Sequence, residues 1–148
     1  MEAEQNLVPK NSLTENLAYL AGYFEGEGCI FFNIPKNQAP LLVIKVTSGD
    51  KKILDQFSET FGGEIKQTKT SKIAKRQMWR WERWGKQAQD TLKQLFPYFK
   101  DIKKELTFLA LVPVFNKVGK NITEDERDIR QRIAEQVLAI NNRNTIAN

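Results

Sequence analysis

Apolar residues follow two different periods along the chain, and the order in which these periods occur predicts the fold. In some stretches apolar residues recur every three or four positions, which is typical of an amphipathic helix; in others they alternate with polar residues, which is typical of a half-buried strand. Together they predict a helix, two strands, a helix, two strands and a helix, followed by C-terminal helices. An αββ unit thus occurs twice, without a tandem sequence repeat or a second domain.

Capping and turn residues set the predicted boundaries of these elements. Capping boxes begin at Ser12 and Thr123, and Gly62-Gly63 predicts a helix end. The predicted elements are a helix from Ser12 that Gly26 and Gly28 end, strands at 29–34 and 41–47, a helix opened by Gly49-Asp50, strands at 64–68 and 76–84, a helix ended by Pro97, and helices over about 101–115 and 123–141. Residues 1–11 are predicted to form a flexible polar arm.

Strands joined in hairpins and separated by helices predict one α+β domain over residues 1–148, with a four-stranded antiparallel sheet and helices on one face. Alternation predicts that Ile30, Phe32, Ile34, Leu42, Ile44 and Val46 point inward. The residues that it predicts to point outward are Phe31, Asn33, Lys45, Thr47, Glu64, Lys66 and Thr68. If Trp79 and Trp81 pack inward, then Arg76, Met78, Arg80 and Glu82 also point outward. All three tryptophans, including Trp84, are expected in the core rather than as stacking platforms.

Composition narrows the possible chemistry more than it identifies a function. The chain of 148 residues has no histidine and one cysteine, Cys29, which excludes a Ser–His–Asp triad, histidine-ligated zinc and an internal disulfide. Any catalysis must use carboxylates, lysines, hydroxyls or a bound metal ion. The net charge of +5 suits a nucleic-acid partner without requiring one. We expect a soluble intracellular protein, in a bacterial cytoplasm or an organelle, because the sequence shows no signal core or bilayer-length apolar run.

Residues 20–28 carry the most informative chemistry. Ala18, Gly22 and Gly26 lie four positions apart, so one helix face is almost bare and allows another helix to approach closely. Glu25 and Glu27 lie at the negative end of the helix dipole, where carboxylates are unfavourable unless a cation compensates. A divalent metal held by carboxylate and main-chain oxygens would provide that charge. Solvated glutamates and ordinary capping glycines are the simpler alternative for each feature taken singly.

The same residues resemble the nine-residue motif of the LAGLIDADG family of homing endonucleases. Leu20, Ala21, Gly22 and Gly28 match the motif letter for letter, Glu25 and Glu27 occupy its acidic positions, and Gly26 occupies a small-residue position. The resemblance extends over about residues 17–115, and the αββαββα order matches the family fold. It implies that Glu27 is the catalytic acid and, with Gly26, the metal site, whereas Glu25 belongs to helix-end packing. Aspartate is commoner than glutamate at both acidic positions.

The resemblance also implies a set of basic and polar site residues. Lys103 would stabilise charge near the scissile phosphate, with Lys100 or Lys104 as alternatives if the alignment shifts. Ser48, with Lys51 or Lys52, would lie near the attacking water. The candidate DNA-binding residues are Phe31, Asn33, Lys45, Lys66, Thr68, Lys72, Lys75, Arg76 and Arg80; a solvated sheet face would also be polar, and Lys69, Lys72, Lys75 and Arg76 form a basic loop suited to phosphates.

A single motif copy predicts a homodimer. The interface would comprise Ala18, Gly22, Glu25 and Gly26, paired about a twofold axis over a roughly palindromic double-stranded DNA target. The expected activity is hydrolysis of phosphodiester bonds with Mg²⁺ or another divalent ion such as Mn²⁺, Ca²⁺ binding without supporting cleavage. We expect neither a membrane partner nor an organic cofactor. An intron RNA maturase and a non-catalytic DNA-binding protein are the alternatives on this scaffold, and Glu27 favours cleavage over both.

Overall fold

Four antiparallel strands form the sheet, as the alternation predicted. In the computed structural model, which describes residues 12–68, 76–115 and 122–147, the strands are β1 (Gly28–Asn33), β2 (Leu41–Ser48), β3 (Ile65–Gln67) and β4 (Trp79–Trp84). Their order in the sheet is β1-β2-β4-β3. The two hairpins therefore meet where β2 pairs with β4, with Ser48 opposite Trp79. The predicted arm at 1–11 and the loop lysines Lys69, Lys72 and Lys75 lie outside the described residues.

Helices cover one face of this sheet. They are α1 (Ser12–Glu27), α2 (Lys51–Phe61), α3 (Gly85–Leu95), α4 (Asp101–Ala110) and α5 (Glu124–Ala147), with a single 3₁₀ turn at Phe96–Tyr98. The carboxylate of Asp50 caps α2 by accepting a hydrogen bond from the Lys52 amide at 3.0 Å. Gly62, with φ of 84°, ends the same helix in a backbone conformation that side chains disfavour.

The core lies between the inner face of the sheet and the helices. Trp81 is fully buried at its centre, 4.9 Å from the Phe57 ring between centroids. Its indole N–H donates to the Gly62 carbonyl at 2.8 Å, so the buried polar atom is satisfied. The Phe24 ring packs against Phe57 and occupies the space that a side chain at Gly28 would need. Gly28 is therefore required for packing at the start of β1.

The C-terminal helix α5 packs on the domain, a point that the sequence left open. The Asn141 side chain donates to the carbonyl of Ile30 in edge strand β1 at 3.0 Å. Arg130 is only 3% exposed, donates to the Val114 carbonyl at 2.9 Å, and lies 4.2 Å from the centroid of the Phe115 ring. These contacts join α5 to both the sheet edge and the turn after α4.

Several predicted boundaries and faces are wrong. Pairing of β1 with β2 stops at Asn33, so Ile34 lies outside the strand and is 49% exposed rather than buried. Trp84 is 41% exposed, because alternation in β4 puts it on the face opposite Trp81. The strands β3 and β4 are shorter than predicted, α4 ends at Ala110 instead of near 115, and α5 continues to Ala147. In the part of the chain that the structure describes, no helix is long and apolar enough to cross a bilayer.

Candidate functional site

The bare face of α1 is accessible in the single chain. Ala18, Gly22 and Gly26 are all exposed, and a methyl group built at either glycine would meet no atom within 4 Å. The opposite face of the helix carries Leu20 and Phe24, which are fully buried. The two glycine positions of the predicted interface are therefore open in the described chain, and a second helix has room to approach the backbone there.

Glu27 ends α1 at the start of the sheet, with an exposed side chain. The last turn of α1 carries no basic residue, and no cation among the described residues pairs with this carboxylate. The helix C-terminus concentrates main-chain carbonyl oxygens at the same point. Carboxylate and carbonyl oxygens are the donors that hard divalent cations prefer, so Glu27 and the main chain at Gly26 fit such an ion.

The described residues of one chain supply only part of a metal site. Within 12–68, 76–115 and 122–147, no three His, Cys, Asp or Glu side chains gather closely enough to hold an ion. Glu27 is one carboxylate, whereas a divalent ion takes several oxygen ligands. A metal site at Glu27 with three or more such side chains would therefore need groups from outside these residues.

Glu25, the other acid of the motif, is engaged within its own chain. Its carboxylate accepts a hydrogen bond from the Lys100 amide at 2.9 Å, directly before α4. The next residue, Asp101, has φ of 54°, a left-handed conformation that costs energy outside glycine. Glu25 thereby holds the turn that aims α4, which agrees with its expected role in helix-end packing; its place in a dimer interface stays a prediction.

Lys103 reaches a cleft beside the start of β1. The cleft has a volume of about 390 Å³ and is lined by Gly28, Cys29, Ile30, Phe31, Lys45, Lys103 and Asn141. Gly28, which lines this cleft, directly follows Glu27 in the chain, so the cleft adjoins the end of α1. Lys100 and Lys104 are exposed instead, and Lys104 lies over the Phe96 ring at 5.8 Å. The structure thus brings Lys103, of the three alternatives, to the site end of the sheet.

Burial lowers the pKa of Lys103 below the ordinary lysine value, and the nearby Cys29 thiol and Glu25 carboxylate offset part of this effect. A cation that has lost part of its hydration shell is attracted more strongly to a phosphate oxygen than the ammonium group of an exposed lysine is. In the absence of an anion, the same burial means that the charge of Lys103 destabilises the folded chain.

Lys103→Met is therefore expected to stabilise the fold and to impair function. At pH 7 the charge is disfavoured in the folded state, so removing it should raise Tm. The gain should shrink as pH rises through the lowered pKa towards the unfolded value of 10.5, since wild-type Lys103 then loses its proton and the penalty with it. Thermal denaturation at pH 7 and pH 10 measures this, with exposed Lys100→Met as the matched control. A lower Tm for Lys103→Met at pH 7 would show that desolvation is not the dominant effect.

Ser48 and Lys51 also lie at this end of the sheet, but each already has a partner. The Ser48 hydroxyl is buried, accepts hydrogen bonds from the Tyr23 hydroxyl and the Asp50 amide at 3.0 Å each, and so shapes the entry to α2. Lys51 forms an exposed ion pair with Asp55 at 3.0 Å. Neither residue contacts Glu27 in the single chain, and their proposed role near the attacking water stays a prediction.

The outer face of the sheet presents a basic and polar surface in the register that alternation predicted. Thr47 lies opposite Arg80, which lies opposite Lys66, and in the adjacent row Cys29 and Glu82 flank Lys45. Arg76 precedes β4 and covers Gly49, with its guanidinium 2.9 Å from where a β-carbon would lie. Asn33 is exposed and Thr68 is partly buried, its hydroxyl donating to the Met78 carbonyl at 3.2 Å.

Arg80 carries a partner that sequence patterning did not reveal. Its Nε lies 2.8 Å from a carboxylate oxygen of Glu82, two residues further along β4 on the same face. The sequence does contain one signal for this ion pair: the two residues are two positions apart in a strand, which places both side chains on one face. Any phosphate or base that Arg80 binds has to compete with this carboxylate.

Glu82→Gln should therefore tighten binding to duplex DNA by roughly tenfold at low salt, because it frees Arg80 and removes a negative charge from the face. Stability should change little, since partly exposed ion pairs contribute at most about 1 kcal/mol. Binding titrations at several salt concentrations measure the effect. Asp90→Asn, on exposed α3 behind the sheet, makes the same change in net charge. If both variants gained the same affinity for DNA, the net charge alone would explain the effect and Arg80 would not be part of the binding face.

Comparisons with known proteins agree with this architecture. Residues 20–115 match the model of the LAGLIDADG endonuclease family, whereas no curated protein matches the chain. The fold is similar to that of the homing endonuclease I-CvuI, determined in complex with the I-CreI target in the presence of 2 mM Mg with the DNA not cleaved, at 18% identity and TM-score 0.63 over 86% of this chain and 82% of that one.

Two further DNA complexes share the fold. The archaeal intron-encoded homing endonuclease I-Vdi141I has 12% identity and TM-score 0.62, over 86% of this chain and 84% of that one. The LAGLIDADG homing endonuclease I-LtrWI, bound to target DNA, has 22% identity and TM-score 0.56, over 80% of this chain but only 42% of that one. At these identities the likeness establishes a common fold.

Proposed function

The chain belongs to the LAGLIDADG endonuclease family, and on this premise we propose that it is a site-specific homing endonuclease that cuts double-stranded DNA as a metal-dependent homodimer. The observation that carries the proposal is the exposed Glu27 carboxylate, which has no cationic partner in the described chain and ends a helix whose neighbouring face is bare. A carboxylate at the negative end of a helix needs an external cation, and a bare face fits a second helix.

Two copies of the chain would complete what one lacks. Packing of Ala18, Gly22 and Gly26 against their twofold mates would bring the two Glu27 carboxylates towards each other, with main-chain oxygens at Gly26 beside them. A divalent ion held there, Mg²⁺ or Mn²⁺, would activate water and neutralise charge on the scissile phosphate. The relative I-LtrWI is more than twice as long as its aligned part, which fits a site composed of two such units.

The two lysines that line the cleft at Gly28 would hold the phosphate. Lys103 points into the cleft next to Gly28, and Lys45 lines the same cleft from the outer face of the sheet. A desolvated ammonium group at Lys103 would stabilise the extra negative charge that develops on the phosphate oxygens. The turn fixed by Glu25 positions α4, so the second motif acid would act on catalysis through Lys103 rather than through the metal.

The outer face of the sheet would bind the target on either side of the cut. Its rows of lysine, arginine and threonine match the acceptors that base edges and phosphates present in a major groove. Because a homodimer repeats this face about a twofold axis, the preferred target should be roughly palindromic. Ca²⁺ should support binding without cleavage.

Selection followed by cleavage tests the proposal. Duplexes with a randomised segment of about 24 base pairs are selected for binding in Ca²⁺, sequenced, and then incubated with the protein in Mg²⁺. We expect the selected duplexes to converge on a sequence with twofold symmetry and to be cut on both strands. Convergence without cleavage in either Mg²⁺ or Mn²⁺ would identify a binding protein, and failure to select any duplex would reject DNA as the ligand.

A further inference from the structure

An apolar row crosses the outer face of the sheet, between its polar rows. Val43 on β2 lies directly opposite Phe31 on β1 and Trp84 on β4, and alternation puts all three on the same face as Lys45 and Arg80. Residues opposite each other on neighbouring strands have β-carbons about 5 Å apart, so the three side chains form a continuous strip.

This strip is separate from the hydrophobic core. The contiguous core cluster and the apolar residues packed against it include neither Phe31, Val43 nor Trp84. Val43 is nevertheless 0% exposed, so neighbouring side chains cover it on the outer face, and Trp84 beside it is 41% exposed. The row therefore offers solvent a small apolar surface with a shielded centre and an exposed indole at one end.

Its surroundings favour a polyanion over an apolar protein surface as the occupant. Lys45 lies beside the row with its Nζ 5.3 Å from the Phe31 ring centroid, and the next row carries Arg80 and Lys66. Successive rows on one face of a strand are about 7 Å apart, or about two base-pair steps. A duplex lying on this face would meet basic rows near the Glu27 end and the apolar row further out.

Within the proposed function, on which this step rests, we propose that Phe31 and Trp84, which flank the shielded Val43 in this row, read the 5-methyl group of thymine in each half-site. That methyl is the one apolar group that the four bases display in the major groove. Lysine and arginine in the neighbouring rows favour guanine, so the row would divide the half-site into an inner segment read by charge and an outer segment read by methyl contact.

Replacing thymine by deoxyuridine tests this inference, because it removes the methyl group and keeps every base-pair hydrogen bond. A duplex obtained by selection in Ca²⁺ is resynthesised with each thymine replaced in turn, and binding is titrated with wild type, Trp84→Gln and Phe31→Asn. We expect one or two positions per half-site to lose about fourfold in affinity with wild type, and about 15-fold when both half-sites are changed. Trp84→Gln or Phe31→Asn should make those positions insensitive, whereas Lys66→Gln, from a neighbouring row, should keep the sensitivity.

The remaining outcomes separate the two proposals. A duplex that binds and is cut, but is insensitive to deoxyuridine at every position, overturns methyl reading and leaves the nuclease intact. Sensitivity that persists in both Trp84→Gln and Phe31→Asn assigns the methyl contact to other residues and also overturns it. If Trp84→Gln instead changes the mass of the DNA-free protein in solution, the row is a protein interface. Failure to select any duplex rejects the proposed function and this inference together.

Discussion

Glu27→Gln is expected to reduce DNA cleavage by about 1000-fold or more while DNA binding stays within a few-fold of wild type. The substitution keeps the size of the side chain but removes the negative charge that would hold the metal, and in a homodimer it removes both charges at once. Because Glu27 is exposed and makes no ion pair within the described chain, stability should not fall. Relief of the unfavourable charge at the end of α1 should instead raise it slightly, by a few tenths of a kcal/mol.

Single-turnover cleavage in Mg²⁺ and binding in Ca²⁺, both on the selected duplex, measure the two effects separately. Glu59→Gln, an exposed carboxylate on α2, is the control for a lost negative charge. Glu25→Gln is the informative comparison, because an amide oxygen still accepts the hydrogen bond from Lys100. It should lower cleavage by no more than about tenfold. Equal rates for wild type and Glu27→Gln would remove Glu27 from catalysis, and equal losses in both motif variants would mean that the two acids act in the same way.

Gly22→Leu is expected to dissociate the proposed homodimer and to abolish cleavage without unfolding the chain. A β-carbon at Gly22 meets no atom within 4 Å in the single chain, so the leucine has room there. In a dimer held by close helix contact, the same side chain would separate the two backbones at both copies of the position. Overpacking of about 1–3 kcal/mol at each of the two copies should raise the dimer Kd by roughly 30-fold or more.

Sedimentation across a range of protein concentrations measures the dimer, and circular dichroism confirms the fold. Gln94→Leu places the same side chain on exposed helix α3 and should leave the dimer intact. Gly22→Ala adds a sharper contrast. It should stabilise the separate chain by about 0.5–1 kcal/mol through helix propensity, yet weaken the dimer. A dimer that withstands Gly22→Leu would place the interface elsewhere and leave the bare face without its proposed role.

Local signals in the sequence predicted the elements and much of the site. Asp50 caps α2 and Gly62 ends it as expected, because a cap depends on residues within one turn. The alternation of Leu42, Ile44 and Val46 likewise identified the inner face of β2, since a strand's period of two does not depend on its neighbours. The motif at 20–28, which ends a predicted helix, identified Glu27 as the candidate metal-binding acid.

Contacts between distant residues were beyond the reach of those signals. The bond from the Lys100 amide to Glu25 joins residues 75 positions apart, and it fixes the direction of α4. The resemblance favoured Lys103 and left Lys100 and Lys104 as alternatives, and the burial that lowers the pKa of Lys103 arises from tertiary packing beside β1. Ser48 was predicted to lie near the attacking water, but its hydroxyl oxygen already accepts hydrogen bonds from the Tyr23 hydroxyl and the Asp50 amide.

The sequence by itself determined the order of elements, the absence of histidine chemistry and the acid–glycine helix end, because these depend on residue identity and on near neighbours. The tertiary structure alone decided where the pairing of β1 with β2 ends, and so left Ile34 exposed. It also decided which charges meet, as in the ion pair of Arg80 with Glu82, and it assembled the apolar row of Phe31, Val43 and Trp84. Register, desolvation and cross-strand contact are properties of the assembled sheet, and no window of sequence contains them.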